Sequence, residues 1–302
     1  MHTRSHFAFS DNAPLQVGHR SYHKLVKPLY WVHVPKCNSG FIRSVLFLPT
    51  MCQNMSEAAS IKLRNKSLLS ESILKLDFNQ AIEDECPGDV ADLRDLGPNF
   101  ADHSGIGSFF LDSVKGHGMI FLRQPEQRLI SAWNHDYHSW STSLLGRDPY
   151  NINEFASFVS GCATKMLTRH QVSDGLGHNP GKESACGDPR PISEEESNLA
   201  ITRLRKGFIF VGLIEKYDLS ICLLHAMFGG ECSDLELAVS HSGSSRANDS
   251  WYDTSMLQGW KDVYDGRLYA EAQAIFQASL ESYRVTNAFC QECWAQAGLT
   301  SK

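Results

Sequence analysis

The stretch Leu29-Tyr-Trp-Val-His-Val-Pro-Lys-Cys-Asn-Ser-Gly-Phe41 decides the predicted fold, because it predicts a strand, a tight turn and the start of a helix. Its first residues are apolar, β-branched or aromatic, which favours a buried strand that ends at Pro35. The turn is predicted over residues 36–40, and apolar side chains recur at helical spacing from Phe41 onward. A strand-to-helix turn presents unpaired backbone N–H groups, and the helix dipole favours an anion beside them. Lys36 adds a point charge suited to phosphate.

Two more apolar runs predict strands that are each followed by a helix. One is Gly118–Arg123, before a helix over about 126–140, and the other is Phe208–Leu213, before a helix over 215–228. A further strand is predicted near residues 99–103. Strands that alternate with helices favour an α/β fold, which we expect to be a three-layer sandwich with a central parallel sheet and a P-loop-like first unit. In such sheets, ligands bind at the carboxyl ends of the strands.

The pattern as a whole predicts one domain with a tail at each end. We expect residues 1–28 to form an N-terminal tail, residues 29–290 the single domain, and residues 291–302 a C-terminal tail. Ser193, followed by three Glu residues, predicts a capping box that begins a helix. Two more helices are predicted over residues 254–284.

Length, composition and charge restrict the class of protein. The chain has 302 residues, of which 42% are hydrophobic and 21% charged, an ordinary balance for a globular protein. No apolar run approaches the roughly 20 residues that span a bilayer, and the polar first residues do not resemble a secretory signal. We therefore expect a soluble, cytoplasmic protein. The formal net charge of −6 argues against a nucleic-acid-binding surface, which would need many Lys and Arg side chains.

The cysteines predict neither a disulfide framework nor a metal site. There are nine, at irregular spacing, and their odd number argues against systematic pairing. Cys290 and Cys293 have Cys-x-x-Cys spacing, but no second pair accompanies them at metal-ligand spacing. Three Asn-x-Ser sequons, at Asn54, Asn65 and Asn248, would be used only on a secretory route.

A second motif follows the strand over 118–123 and has the sequence Arg123-Gln-Pro-Glu-Gln-Arg128-Leu-Ile-Ser131. Arg123 ends the strand, and Ser131 lies eight residues later, about two turns along the next helix. An Arg fork and a hydroxyl so placed could clamp a phosphate. Arg128 lies on a different face from Ser131, so we expect it to pack or to form an ion pair.

Together the two motifs resemble the nucleotide site of sulfotransferases that use 3′-phosphoadenosine 5′-phosphosulfate (PAPS). The second motif matches the pattern Arg-x-Pro-x-x-Arg-x-x-Ser of that family at Arg123, Pro125, Arg128 and Ser131. The closer resemblance is to the carbohydrate-type branch that includes the heparan sulfate O-sulfotransferases. It also covers three later segments, which are 161–167, 208–220 and 265–276.

The resemblance implies a role for each part of the site. The 5′-phosphosulfate would be bound by Lys36 and the backbone of the turn, and the 3′-phosphate by Arg123 and Ser131. The residues of that turn are Asn38, Ser39, Gly40 and Phe41. Two of them depart from the family, which usually has Gly where this chain has Asn38, and Thr or Ser where it has Gly40.

The implied reaction is an in-line attack on sulfur by a hydroxyl or amine of a glycan or a small metabolite. Lys36 would stabilise the charge on the leaving phosphate, and His103 would serve as general base, because its ordinary pKa suits neutral pH. No metal is required. Two alternatives stay open. One is a P-loop kinase, although the Walker A sequence Gly-x4-Gly-Lys-Ser/Thr is absent. The other is a non-catalytic relative that binds a nucleotide or glycan.

Four other side chains have less decided expectations. We expect His33 to be a satisfied core histidine and Cys37 to pack within the phosphate turn rather than act as a nucleophile. Lys165 could contact the acceptor or the donor, or lie on the surface. His135, on the helix of Ser131, is expected to be a surface or packing residue.

Overall fold

The computed structural model describes residues 15–17, 20–22, 27–37, 44–45, 48–49, 51–52, 90–91, 105–107, 109–134, 147–169, 185–234, 236–237 and 252–298. The strands within these ranges are β1 (Leu15–Val17), β2 (Arg20–Tyr22), β3 (Leu29–Val32), β4 (Val90–Ala91), β5 (Gly118–Leu122) and β6 (Phe208–Leu213). The first two pair as an antiparallel hairpin. The other four form one parallel sheet in the order β4-β3-β5-β6.

The parallel sheet is buried on both faces at its centre. All five residues of β5 are buried, although successive side chains point to opposite faces of a strand. Strand β6 is buried at every position except Ile209. Continuous apolar runs of this kind occur where helices cover both faces of a parallel sheet. The predicted α/β class is therefore confirmed, and the strands over 118–122 and 208–213 lie where the sequence predicted them.

Seven α-helices lie within the described residues: α1 (Pro125–Trp133), α2 (Ile152–Val159), α3 (Cys162–Thr168), α4 (Glu194–Gly207), α5 (Tyr217–Phe228), α6 (Val263–Ser282) and α7 (Asn287–Gln296). Their starts follow from the sequence. Pro125 occupies the first turn of α1, where a missing N–H is tolerated. The predicted cap of α4 is confirmed, because the Ser193 hydroxyl accepts a hydrogen bond from the backbone N–H of Glu196 at 3.1 Å.

Several predicted boundaries differ from the structure. Helix α7 crosses residue 290, so the fold continues into the segment predicted as a C-terminal tail. The β1–β2 hairpin lies within the predicted N-terminal tail. Of the two helices predicted over residues 254–284, the first is a single 3₁₀ turn over Thr254–Leu257, and the second is α6. The strand predicted near 99–103 lies outside the described residues.

The expectation about the cysteines is wrong, because three disulfides join described residues. They are Cys162–Cys186, Cys222–Cys290 and Cys232–Cys293, and Cys52 is disulfide-bonded as well. The partners lie 24, 68 and 61 residues apart, so their proximity is a property of the fold and not of local spacing. Cys290 and Cys293 bond to different partners, which excludes their use as a thiolate pair for zinc.

A buried ion pair accompanies the two C-terminal disulfides. His225, near the end of α5, contacts both carboxylate oxygens of Glu236 through Nε2, at 2.9 and 3.0 Å. Its Nδ1 lies 3.0 Å from the carbonyl oxygen of Gly229. Both side chains are buried. We call α5, the following residues through 237 and α7 the C-terminal region. Among the described residues, no helix is long and apolar enough to cross a membrane.

Candidate functional site

The turn after β3 brings Lys36 to the carboxyl edge of the sheet. The backbone N–H of Cys37 donates to the carbonyl of Val34 at 3.0 Å, which closes a β-turn with Pro35 and Lys36 at its centre. Lys36 has a φ of 63°, in the left-handed region that favours glycine, and this fits a type II turn with proline at the first central position. Backbone strain at a residue other than glycine often marks a functional position.

The Cys37 thiol ties this turn to the end of β5. It is buried and free of any disulfide. Burial raises the pKa of the Cys37 thiol to about 12, although the charges of Arg128 and Arg123 act in the opposite direction, as does a hydrogen bond with the backbone of Arg123. A thiol with so high a pKa is a poor nucleophile at neutral pH. The contact also shows that the Lys36 turn and Arg123 are neighbours.

Arg123 follows β5 directly and lies over an aromatic ring. Among the described residues, no Asp or Glu forms an ion pair with it, and its guanidinium lies over the ring of Tyr252, 5.2 Å from the ring centre. Tyr252 is held by Gln127 of α1. The Gln127 amide donates to the Tyr252 carbonyl at 2.9 Å and accepts from the Tyr252 backbone N–H at 2.6 Å.

Ser131 lies two turns along α1 and is 7% exposed. No hydrogen bond joins its hydroxyl to another residue in the part of the chain that the structure describes. A hydroxyl that is not used by a described residue, on the helix that follows Arg123, can donate a hydrogen bond to a phosphate. Arg123 therefore directly follows β5, and Ser131 lies two turns along the next helix, as predicted.

Glu215, at the carboxyl end of β6, completes the edge. One carboxylate oxygen accepts from the backbone N–H of Gln124 at 2.9 Å, and the other accepts from the Tyr269 hydroxyl at 2.7 Å. Burial, together with the Glu215 charge, raises the pKa of the Tyr269 hydroxyl. One oxygen of Glu215 thus fixes the start of α1, and the other ties the edge to α6. The ends of β3, β5 and β6 meet here.

Arg128 is buried beneath this edge, as an ion pair with Asp265. The two side chains are 2% and 3% exposed, and the distance from Nη2 to Oδ2 is 3.4 Å. Asp265 also accepts from the backbone N–H groups of Ala163 and Thr164, at the start of α3. This confirms the expectation that Arg128 forms an ion pair. Its Nε and Nη1 have no hydrogen-bond partner in the described part of the chain.

Lys165 is buried, which excludes the surface alternative. It is 5% exposed, and desolvation, followed by the charge of Arg169, lowers the pKa of its ammonium group. Asp262 lies near it, and burial raises the pKa of that carboxyl to about 7, with the Asp265 charge adding to the effect. His33 is also buried, and its ring stacks on that of Trp31 at 4.5 Å, so its core position is as predicted. The predicted hydrogen bonding is not borne out at Nδ1, which forms no hydrogen bond within the described residues.

Other predicted site residues lie outside the described residues. They are Asn38, Ser39, Gly40, Phe41 and the proposed base His103, together with His135. The segment just after His103 is described. The backbone N–H of Ile106 donates to the Met166 carbonyl at 2.8 Å, and that of Gly107 donates to the Arg169 carbonyl at 3.1 Å. This segment therefore packs against the end of α3. No cluster of three or more His, Cys, Asp or Glu residues suited to a metal ion occurs within the described ranges.

Three residues of the edge were missed from sequence. Glu215 follows a predicted strand, and that position could have suggested it. Gln127 occupies an unspecified position of the second motif, and Tyr252 lies 125 residues further along the chain, so no local pattern connects the two. Comparison with protein families, with curated proteins and with solved structures finds no match to this chain.

Proposed function

We propose that this chain is a sulfotransferase that moves a sulfuryl group from PAPS to a hydroxyl or amine of a glycan or small metabolite. The observation that carries the proposal is the parallel pairing of β3 with β5, which sets Val32 opposite Ile120 and so brings the turn after β3 beside the end of β5. It puts the Lys36 turn beside Arg123, a cation that forms no ion pair with any Asp or Glu of the described residues. PAPS has two anionic groups, a 5′-phosphosulfate and a 3′-phosphate, and two adjacent cationic elements suit such a ligand. We also propose that β3, the turn after it and the helix that follows form a P-loop-like phosphate-binding unit.

Each residue of the site then has a defined role. Lys36 and the backbone N–H groups of residues 38–41 bind the 5′-phosphosulfate, and Arg123 with Ser131 binds the 3′-phosphate. The acceptor oxygen or nitrogen forms a bond to sulfur while the bond from sulfur to the 5′-phosphate oxygen breaks. That oxygen keeps the electron pair, and Lys36 stabilises the charge. His103 takes the acceptor proton.

We also propose that the protein matures in an oxidising compartment and not in the cytoplasm. Disulfides persist in secreted, lumenal or periplasmic proteins and are rare in the cytosol, where thiols are kept reduced. Three disulfides between described residues support this assignment. Migration on non-reducing gels after alkylation of the native protein tests it, since complete labelling of the cysteines without reduction would contradict it.

A thermal-shift experiment tests the function. 3′-Phosphoadenosine 5′-phosphate should raise the melting temperature, because a ligand that binds only the folded state stabilises it by mass action. ATP with magnesium should raise it much less, because ATP lacks the 3′-phosphate. Equal or greater stabilisation by ATP with magnesium would favour a kinase. An acceptor screen with labelled PAPS then separates an enzyme from a non-catalytic binding protein.

A further inference from the structure

We infer that Tyr252, held in place by Gln127, is a positioning residue that sets the preference for a nucleotide 3′-phosphate. The inference rests on the proposed function, because it assigns the 3′-phosphate to Arg123. Tyr252 would act through Arg123 and would not need to touch the phosphate itself.

The position of a guanidinium over an aromatic ring suits an Arg side chain that must bind an anion. A guanidinium group carries five N–H donors, which lie in its plane. An aromatic face attracts the cation without accepting those in-plane hydrogen bonds. A carboxylate partner would occupy the donors and compete with phosphate. The position of Arg123 over the Tyr252 ring, 5.2 Å from its centre, therefore orients the cation and leaves its donors available.

Gln127 fixes the ring through the backbone of Tyr252. Its side-chain amide makes two hydrogen bonds to that one residue, at 2.6 and 2.9 Å, and Gln127 is 3% exposed. Two such bonds determine both the position and the direction of the Tyr252 backbone. Gln127 also stands four residues before Ser131 on α1. The same helix therefore fixes the ring under Arg123 and carries the hydroxyl proposed to share its phosphate.

A purely structural role for Tyr252 gives a different expectation. The ring is partly buried and packs against the core, so its removal lowers stability in either case. Only the positioning role predicts a loss of affinity that is specific to ligands with a 3′-phosphate. The informative quantity is therefore the ratio of affinities for 3′-phosphoadenosine 5′-phosphate and adenosine 5′-phosphate, which differ by that group alone.

Isothermal titration calorimetry on the full chain measures this ratio. Tyr252→Leu should reduce it about fivefold, the typical worth of one cation–π contact, whereas Tyr252→Phe, which keeps the ring, should stay within about twofold of wild type. Gln127→Met keeps the ring and the volume of residue 127 but removes both hydrogen bonds, and it should reduce the ratio in the same direction. Gln127→Met also serves as the test if Tyr252→Leu does not fold.

The outcomes separate this inference from the proposed function. Suppose that wild type prefers the bisphosphate and that the variants keep the wild-type affinity ratio but melt at a lower temperature. This result would overturn the positioning role alone. A wild-type protein without preference for the bisphosphate would overturn both. Loss of the ratio in Tyr252→Phe as well as in Tyr252→Leu would assign the effect to the hydroxyl and would also contradict the inference.

Discussion

The carboxyl edge of the sheet and the C-terminal region are held together by different means. At the edge, hydrogen bonds and buried contacts between strand ends fix the side chains, and Cys37 is a free thiol that forms no disulfide. In the C-terminal region, α7 buries only Cys290 among its ten residues, and two disulfides attach it to α5 and to the segment after α5. We therefore expect that substitutions at the edge change ligand binding and turnover, and that substitutions in the C-terminal region change stability.

The largest effect is expected from His103, the proposed general base. His103→Ala should reduce turnover by about 10²–10⁴-fold, the usual loss on removing a general base, while donor affinity stays near that of wild type. Steady-state kinetics with an acceptor found by labelled PAPS, together with calorimetry on the bisphosphate, measure both quantities. Turnover above half the wild-type value would transfer the role to another group, such as His135.

The next effect belongs to the C-terminal region. Replacement of both Cys222 and Cys290 by Ser should lower the free energy of unfolding by about 2–4 kcal/mol, since a disulfide across a long loop restricts the unfolded chain. Urea denaturation measures the loss. Dithiothreitol provides the control, because it should destabilise wild type more than the variant. A simultaneous large loss of bisphosphate affinity in the folded variant would contradict the separation of the two regions.

At the carboxyl edge, Arg123→Ala should weaken bisphosphate binding by about 1.5–3 kcal/mol, which is the typical contribution of a charge-assisted hydrogen bond. The melting temperature without ligand should change little. Arg267→Ala is a matched control, because Arg267 is exposed and pairs with Glu194 on the surface. Calorimetry that finds wild-type affinity in Arg123→Ala would show that the 3′-phosphate is bound elsewhere.

The smallest effect is a pH dependence of the C-terminal region. Although desolvation acts in the opposite direction, the hydrogen bond with Glu236 raises the pKa of His225 above its ordinary 6.5. A raised pKa in the folded state means that the pair stabilises fully below the unfolded pKa, and that this stability is lost as pH rises through the folded pKa. Wild type should therefore lose stability from about pH 6.5 upward, and His225→Gln should lose less. Urea denaturation at several pH values compares them.

The carboxyl of Asp262 titrates over part of the same pH range, but it does not alter the comparison between the two proteins. Because burial raises the pKa of its carboxyl to about 7, the unfolded chain ionises first, and stability falls between the ordinary pKa of 3.8 and about pH 7. Above that range the contribution is constant. Since Asp262 is present in both proteins, the difference between wild type and His225→Gln reports the histidine. Parallel pH curves for the two proteins would exclude the His225–Glu236 pair as the source.

The sequence predicted what depends on neighbouring residues and missed what depends on distant ones. The strand over 208–213 and the cap at Ser193 follow from local composition and hydrogen-bonding chemistry. The burial of Arg128 could be expected from its helix face. The pairing of Cys232 with Cys293 and the contact of Gln127 with Tyr252 could not, because the chain topology that joins them has no local signature.

The left-handed backbone of Lys36 has a consequence for protein engineering. A residue with a β-carbon at a φ of 63° costs about 1 kcal/mol relative to glycine. A screen that ranked substitutions only by resistance to heat would therefore favour glycine at this position. The selected proteins would have lost the cation proposed to stabilise the leaving phosphate, so selection for thermal tolerance in this chain needs a parallel selection for turnover.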